Sequence, residues 1–265
     1  MTRRIALVLE YDGHGLCGWQ RQDNGPSVQG HLAEALARVD GRSSELVAAG
    51  RTDAGVHAEA MLVHADVSAR RFERAPMAYV HGLNQHLPPS IRVLAVRAAR
   101  RDFHARFDCR ERAYRYEIWN RPTAPAIQRW RHWWQPRPLD LEPMRDAAAM
   151  LVGRHDFSSF RASGCQASGP VRQLRELSVV REGWRISLFV RADAFLYHMV
   201  RNMVGALVRV GTGQWSLTRF EQVFHARNRV LSAETAPAHG LYFINAVYDD
   251  FDSASLVALD GESTN

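Results

Sequence analysis

Lysine is absent: all 34 basic residues of the 265-residue chain are arginine. The plain reading is a biased composition, although guanidinium also offers planar, bidentate contacts to phosphate and stacks on bases. Cysteine is scarce as well. Cys17, Cys109 and Cys165 are odd in number, widely spaced and without a Cys-x-x-Cys pair. This argues against a disulfide framework or a zinc site and fits reduced thiols in the cytoplasm. No apolar run approaches the ~20 residues of a membrane-spanning helix. The opening Met1-Thr2-Arg3-Arg4-Ile5 lacks the apolar core and cleavage site of a secretory leader, so none is expected. Acidic residues are outnumbered, giving a formal charge of +6 and a pI near 9.7. That modest excess points toward a polyanionic partner without naming one.

What is present has a regular order. Arg4–Glu10 reads as a strand that ends at Tyr11-Asp12-Gly13. Ser27 can cap a helix whose stripe is Val28, Leu32, Ala35, Leu36 and Val39, closed by Asp40-Gly41. Leu46–Ala49 and Met61–Val67 read as strands, Pro76–His86 as a helix and Ile91–Val96 as a strand. The second half repeats the pattern. Ala113–Trp119 alternates like a strand, and Asp140 caps a helix carrying Met144, Ala147, Ala148 and Leu151. Glu176–Arg181 and Trp184–Ala192 make a hairpin, a helix runs from about Phe195 to Val210, and Leu241–Tyr248 is the last strand. The expected class is α+β: two tandem ferredoxin-like (β-α-β-β-α-β) halves joined through an antiparallel sheet. The halves fall at residues 1–105 and 106–252, with an insertion at 121–138. Residues 253–265 are expected to be a disordered tail.

One loop carries chemistry-bearing residues between apolar strands: Gly50-Arg51-Thr52-Asp53-Ala54-Gly55-Val56-His57. Taken alone, Asp-Ala-Gly is an ordinary turn. The longer run Gly50–Ala58, however, resembles the signature of TruA-type pseudouridine synthases. So do Tyr11-Asp12-Gly13 with Gly18-Trp19-Gln20, and Phe103-His104-Ala105-Arg106-Phe107 followed by Tyr114-Arg115-Tyr116. Further matches are His155–Phe160 with Gln166 to Arg172, Phe195–Asn202, and Gly240-Leu241. They occur in the family's order across roughly residues 4 to 248 of the sequence.

The resemblance implies the pseudouridine synthase fold and isomerisation of uridine at positions 38, 39 and 40 in the anticodon stem-loop of tRNA, by a cytoplasmic homodimer without cofactor or metal. It makes Asp53 the nucleophile. A carboxylate suits the breaking of a glycosidic bond, because it can attack C1′ or stabilise positive character there. It must be ionised to do so, which calls for a nearby cation. By the resemblance that cation is Arg201, on a helix whose other side carries Met199, Val200, Met203, Val204, Leu207 and Val208. Tyr114 would stack on the target base, and Arg51 would contact tRNA around the flipped nucleotide. Phe103, His104, Ala105, Arg106 and Phe107 would contact tRNA. If extended, they put His104 and Arg106 on one face and the phenylalanines on the other. Gln166, Ala167, Ser168, Gly169 and Pro170 resemble a further tRNA contact.

Two rival classes remain readable. A catalytically inactive tRNA-binding module or RNA chaperone would keep the basic face without needing Asp53. A nucleoside hydrolase would need a water-activating base or a metal, and no acidic cluster suits either. Arg129–Trp134 mixes cations with aromatics and suits RNA stacking, packing or a subunit contact.

Overall fold

A computed structural model describes the backbone of residues 1–262 and the side chains of residues 1–257. The chain divides into two compact units, Met1–Arg112 with the segment from Tyr242 onward, and Ala113–Leu241. The division falls seven residues beyond the expected 105/106 seam, and the C-terminal segment groups with the first unit rather than the second. The class is mixed α+β.

The first unit opens with β1 (Thr2–Tyr11), α1 (Val28–Asp40), β2 (Val47–Ala48), β3 (His57–Ser68), α2 (Ala69–Arg74), α3 (Met77–His86) and β4 (Ile91–Ala98). β1 lies between β4 and β3, antiparallel to both. Its run Ile5–Leu9 is buried at every position, as expected of a central strand covered on both faces. α1 is capped as read. Ser27 Oγ accepts from Gly30 N at 3.2 Å, and Gly41 closes the helix at φ 78°. The closing Asp40 is itself buried. It accepts from Tyr79 Oη at 2.6 Å, Ser68 N at 2.9 Å and Arg42 Nε at 2.7 Å. Burial opposes its charge, but these bonds outweigh burial and hold the carboxyl below the usual carboxylate range.

The second unit contains β5 (Glu111–Asn120, from Ala113 on), β6 (Trp133–Gln135), α4 (Leu141–Leu151), β7 (Gly153–Asp156), β8 (Val171–Glu182), β9 (Arg185–Ala192), α5 (Met199–Gly211) and α6 (Leu217–His225). Its strands run in the order β5-β9-β8-β7. β6 comes from the expected insertion and pairs with β5 in parallel, so the sheet is not purely antiparallel. α5 starts four residues later than its periodicity suggests. His198 sits at φ 59°, a left-handed conformation that cannot belong to the helix. α6 has no counterpart among the expected elements; Ser216 caps it, and Phe220, Val223 and Phe224 are its buried side.

β10 (Leu241–Val247) returns to the first unit, where Tyr242 and Phe243 pair in parallel with His57 and Ala58 of β3. The tail expected to be disordered begins instead as α7 (Ser253–Glu262), packed against β1, β3 and β4. Its start is fixed by side chains. Ser253 is fully buried, its Oγ accepting from Ala246 N at 2.9 Å and donating to Asn245 Oδ1 at 3.0 Å. Asp252 Oδ1 accepts from Ser255 N at 2.9 Å, the geometry of an N-cap. The expectation for 263–265 lies outside the described residues.

The loop after β4 hangs on a buried histidine. His64 Nδ1 accepts from Ala105 N at 3.0 Å, which requires the neutral ring. Burial, with Arg4 and His104 adding to it, lowers His64 from 6.5 to about 4. The unfolded chain takes up a proton near pH 6.5 and the folded protein does so only near pH 4. This contribution is therefore complete above pH 6.5 and is lost as pH falls toward 4, by at most about 3 kcal/mol. Denaturant unfolding at pH 7 and pH 5 should show a smaller loss of stability in His64→Gln than in wild type. Equal losses would mean that His64 is not the titrating group.

Candidate functional site

In the first unit, the loop bearing Asp53 is held by two motif pieces that precede it. Trp19 N donates to Thr52 O at 3.0 Å, and the Thr52 hydroxyl lies 2.8 Å from Tyr11 Oη. Val56 N closes a turn onto Asp53 O at 3.1 Å, with Gly55 at φ 79°. Gly13 N donates to His57 Nδ1 at 3.0 Å, and the His57 ring stacks on Tyr242 at 4.7 Å. Gly13 and Gly18 are required by contact. A Cβ on Gly13 would stand 2.2 Å from Val56 O, and one on Gly18 would stand 2.5 Å from Thr52 O. Thr52 is thus buried, whereas Asp53 is half-buried and Arg51 exposed. An anchored backbone presenting a partly accessible carboxylate is the arrangement a nucleophile needs.

Arg112, which the sequence did not single out, joins this loop to the Phe103–Phe107 segment. The buried guanidinium donates to Ala49 O at 2.9 Å, Arg106 O at 2.5 Å and Cys109 O at 3.3 Å. Phe103–Phe107 is not extended. His104 N donates to Asp108 Oδ2 at 2.9 Å, and Asp108 N returns to His104 O at 3.0 Å. His104 Nδ1 accepts from Arg106 N at 3.2 Å and Phe107 N at 3.1 Å. These local bonds wind the segment into a turn. The phenylalanines therefore do not share a face. Phe103 is buried, while Phe107 is 75% exposed and stacked on His104 at 4.2 Å. Ala105 is buried, and the exposed Arg106 has its guanidinium 5.9 Å from the Phe107 ring.

In the second unit, Tyr114 lies on β5 and is nearly buried, edge-on to Phe195 at 5.0 Å. Phe195 opens the turn that leads to His198 and into α5. The Gln166–Pro170 loop is laced to the same turn. Ala162 N donates to Tyr197 O at 3.1 Å, and Tyr197 N to Cys165 Sγ at 3.4 Å. Arg161 holds the loop from within through Cys165 O at 3.0 Å and Ala167 O at 2.8 Å. Gly169 O accepts from Arg172 Nη1 at 3.0 Å, and Pro170 O from Phe157 N at 3.1 Å. Gln166 and Ser168 are exposed along it.

Arg201 lies on the first turn of α5, half-buried, its Nε donating to Ala236 O at 2.8 Å. The helix is more deeply enclosed than its pattern suggests, since Asn202 and Gly205 are buried along with the apolar side. The cause is the segment 233–237, which crosses Gly205 so closely that a Cβ there would stand 2.0 Å from Glu234 O. Among the described residues no group of three or more His, Cys, Asp or Glu side chains is placed to hold a metal ion, and no helix is long and apolar enough to cross a membrane.

The family described as tRNA pseudouridine synthase matches residues 147–249. The tRNA pseudouridine synthase A of Rhodospirillum rubrum is 48% identical over 242 residues, covering 91% of this chain and 86% of that protein. Its counterpart in Rhodospirillum centenum is 49% identical over 247 residues, covering 93% and 100%. The Neisseria gonorrhoeae counterpart is 44% identical over 247 residues, covering 93% and 92%. Among solved structures, a Cbf5-Nop10-Gar1 complex gives a TM-score of 0.38 at 10% identity over 92% of this chain and 50% of that one, too low a likeness to bear on the fold. With identities near one half across nine-tenths of its length, the chain belongs to the tRNA pseudouridine synthase A family.

Proposed function

We propose that this chain converts uridine to pseudouridine at positions 38, 39 and 40 of the tRNA anticodon stem-loop, with Asp53 as its nucleophile. Isomerisation of uridine in tRNA is the activity of its family. The choice of Asp53 is carried by one observation: the two motif segments before it hold the loop backbone on both sides and leave this carboxylate partly accessible. In the reaction the carboxylate meets developing positive charge at C1′ while the N1–C1′ bond breaks. The freed uracil turns, C5 bonds to C1′, the C5 proton departs and N1 gains one. Atoms balance without water, so a single essential carboxylate suffices.

The other roles follow from the family resemblance. Tyr114 offers a π-face to the flipped base. Arg201 supplies the positive charge that the reaction calls for. Arg51 contacts tRNA around the flipped nucleotide. The Phe103–Phe107 turn, with Arg106 and Phe107 outward, and the Gln166–Pro170 loop add contacts to tRNA. The enzyme works as a cytoplasmic homodimer and needs no cofactor. The strand order β4-β1-β3, with β2 on β3, supports reading the first unit as ferredoxin-like, and the succession of β5, α4, the β8–β9 hairpin and α5 in the second, with β6 and β7 added to it, supports a tandem relation.

Tritium release from tRNA labelled at uracil C5 tests the assignment. Asp53→Asn should lower the rate by at least a thousandfold, about 4 kcal/mol of transition-state stabilisation, with tRNA binding retained. Binding without release by the wild-type protein, on several tRNAs, would instead identify an inactive tRNA-binding module. Gly18→Ala should act through the same loop. Gly18 is at φ 90° and its Cβ would collide with Thr52 O, so the substitution displaces Asp53 without removing it. Its single-turnover rate should fall roughly tenfold to a hundredfold. A rate equal to wild type would show that the Gly18 contact does not position the nucleophile.

A further inference from the structure

The segment 233–237 is held at each of its five residues. Arg229 Nη1 donates to Ala233 O at 2.8 Å. Arg209 donates through Nε and Nη2 to Glu234 Oε2 at 2.9 and 2.7 Å. Thr235 Oγ1 donates to Asn202 Oδ1 at 2.7 Å and accepts from Arg229 Nη2 at 3.1 Å. Ala236 bonds Arg201 twice, its N to Arg201 O at 3.1 Å and its O from Arg201 Nε at 2.8 Å. Pro237 O accepts from Tyr116 Oη at 2.8 Å. The strap thus lies bonded along α5, and the bond from Arg201 Nε to Ala236 O lies in the plane of the guanidinium. Because that group is planar, a bond at Nε sets the directions of its two outer nitrogens.

The centre of this arrangement is Asn202. It is fully buried, its Nδ2 donates to Phe160 O at 2.8 Å, and its Oδ1 accepts from both Thr235 Oγ1 and Arg229 Nη2, the latter at 3.0 Å. Arg229 is half-buried on neutral oxygens, those of Ala233, Asn202 and Thr235, and burial lowers its guanidinium below the usual arginine range. Apolar packing holds a loop at less cost than a desolvated cation does. What the guanidinium adds is a rigid fork that joins three acceptors on two elements at fixed angles.

We propose that the Asn202–Arg229–Thr235 node positions Arg201 for pseudouridine formation: the node fixes the strap, and the strap fixes the guanidinium. This rests on the role of Arg201 given above. Arg229 and Thr235 are positioning residues, acting through Arg201 and not on the tRNA.

Single-turnover rates and tRNA dissociation constants, measured on the full chain, test this with a double-mutant cycle. Thr235→Val should lower the rate roughly tenfold to a hundredfold and leave the dissociation constant within about twofold. Thr235→Ser, which keeps the hydroxyl, should restore the rate. In an Arg201→Ala background, Thr235→Val should cause no further loss. A Thr235→Val rate equal to wild type, or an equal additional loss in the Arg201→Ala background, would overturn the proposal. An unchanged rate in Arg201→Ala alone would remove the role of Arg201, and the node's with it. Should Thr235→Val not fold, Arg229→Lys carries the same cycle, since an ammonium keeps the charge but cannot reproduce the planar fork.

Discussion

The site in the first unit depends on one close approach of backbone to backbone. Gly18 lies so near Thr52 and Asp53 that a Cβ would stand 2.5 Å from the Thr52 carbonyl oxygen and 2.8 Å from the Asp53 carbonyl carbon. That approach lets Trp19 N reach Thr52 O. It also couples the loop to α1, because Gly18 O and Trp19 O accept from Val28 N and Gln29 N at 3.1 and 3.0 Å. The first amides of a helix have no partner within it, and here two of them are satisfied by the segment that supports the loop. Helix start, supporting segment and Asp53 loop therefore form one hydrogen-bonded piece. A loop tied to such an element holds its side chains with more precision.

The second unit reaches a comparable result by similar means. Gly205 admits the Glu234 carbonyl against α5, and the strap so admitted bonds both the backbone and the side chain of Arg201. In both units a missing side chain permits a backbone contact, and that contact places a charged group. The side of α5 away from its apolar residues is covered by the chain itself, which is why Asn202 is buried there.

Legibility in the sequence followed the range of the forces involved. Ser27, Gly41 and Asp140 act on residues within a few positions of themselves, and the helices they cap were readable to within a residue or two. The Asp53 loop was readable as a loop, and the motifs around it as belonging together. How Tyr11, Gly13 and Gly18 serve it depends on contacts some 40 residues away, which no local pattern encodes. The Phe103–Phe107 segment alternates aromatic and polar residues as a strand would, yet it forms a turn. What decides its shape is the pair of bonds between His104 and Asp108, together with His64 reaching in from β3. The start of α5 is hidden for a related reason: Phe195 and Leu196 continue its apolar spacing, but His198 takes a left-handed conformation that interrupts it. The small polar residues of the tail suggest disorder, yet two of them, Asp252 and Ser253, cap and anchor the helix.

The all-arginine composition also takes on a different meaning. Composition bias and phosphate contact were the two readings available from sequence, and a third use is visible throughout the fold. Arg112, Arg161, Arg201 and Arg229 each donate to main-chain carbonyls of loops that carry candidate site residues or pack beside them. Arg4 joins Asp66 to Phe103 O at the root of the 103–107 turn. Irregular segments leave carbonyls without ladder partners, and a buried carbonyl must find a donor. A guanidinium can serve two or three of them at once from a single side chain at fixed angles, whereas an ammonium presents a compact, strongly hydrated charge. In this protein much of the arginine is therefore internal scaffolding for loops. The net charge overstates how many guanidinium groups are left for the polyanion, and mutational loss of an arginine reports on tRNA contact only where its donors are not already spent on the chain's own carbonyls.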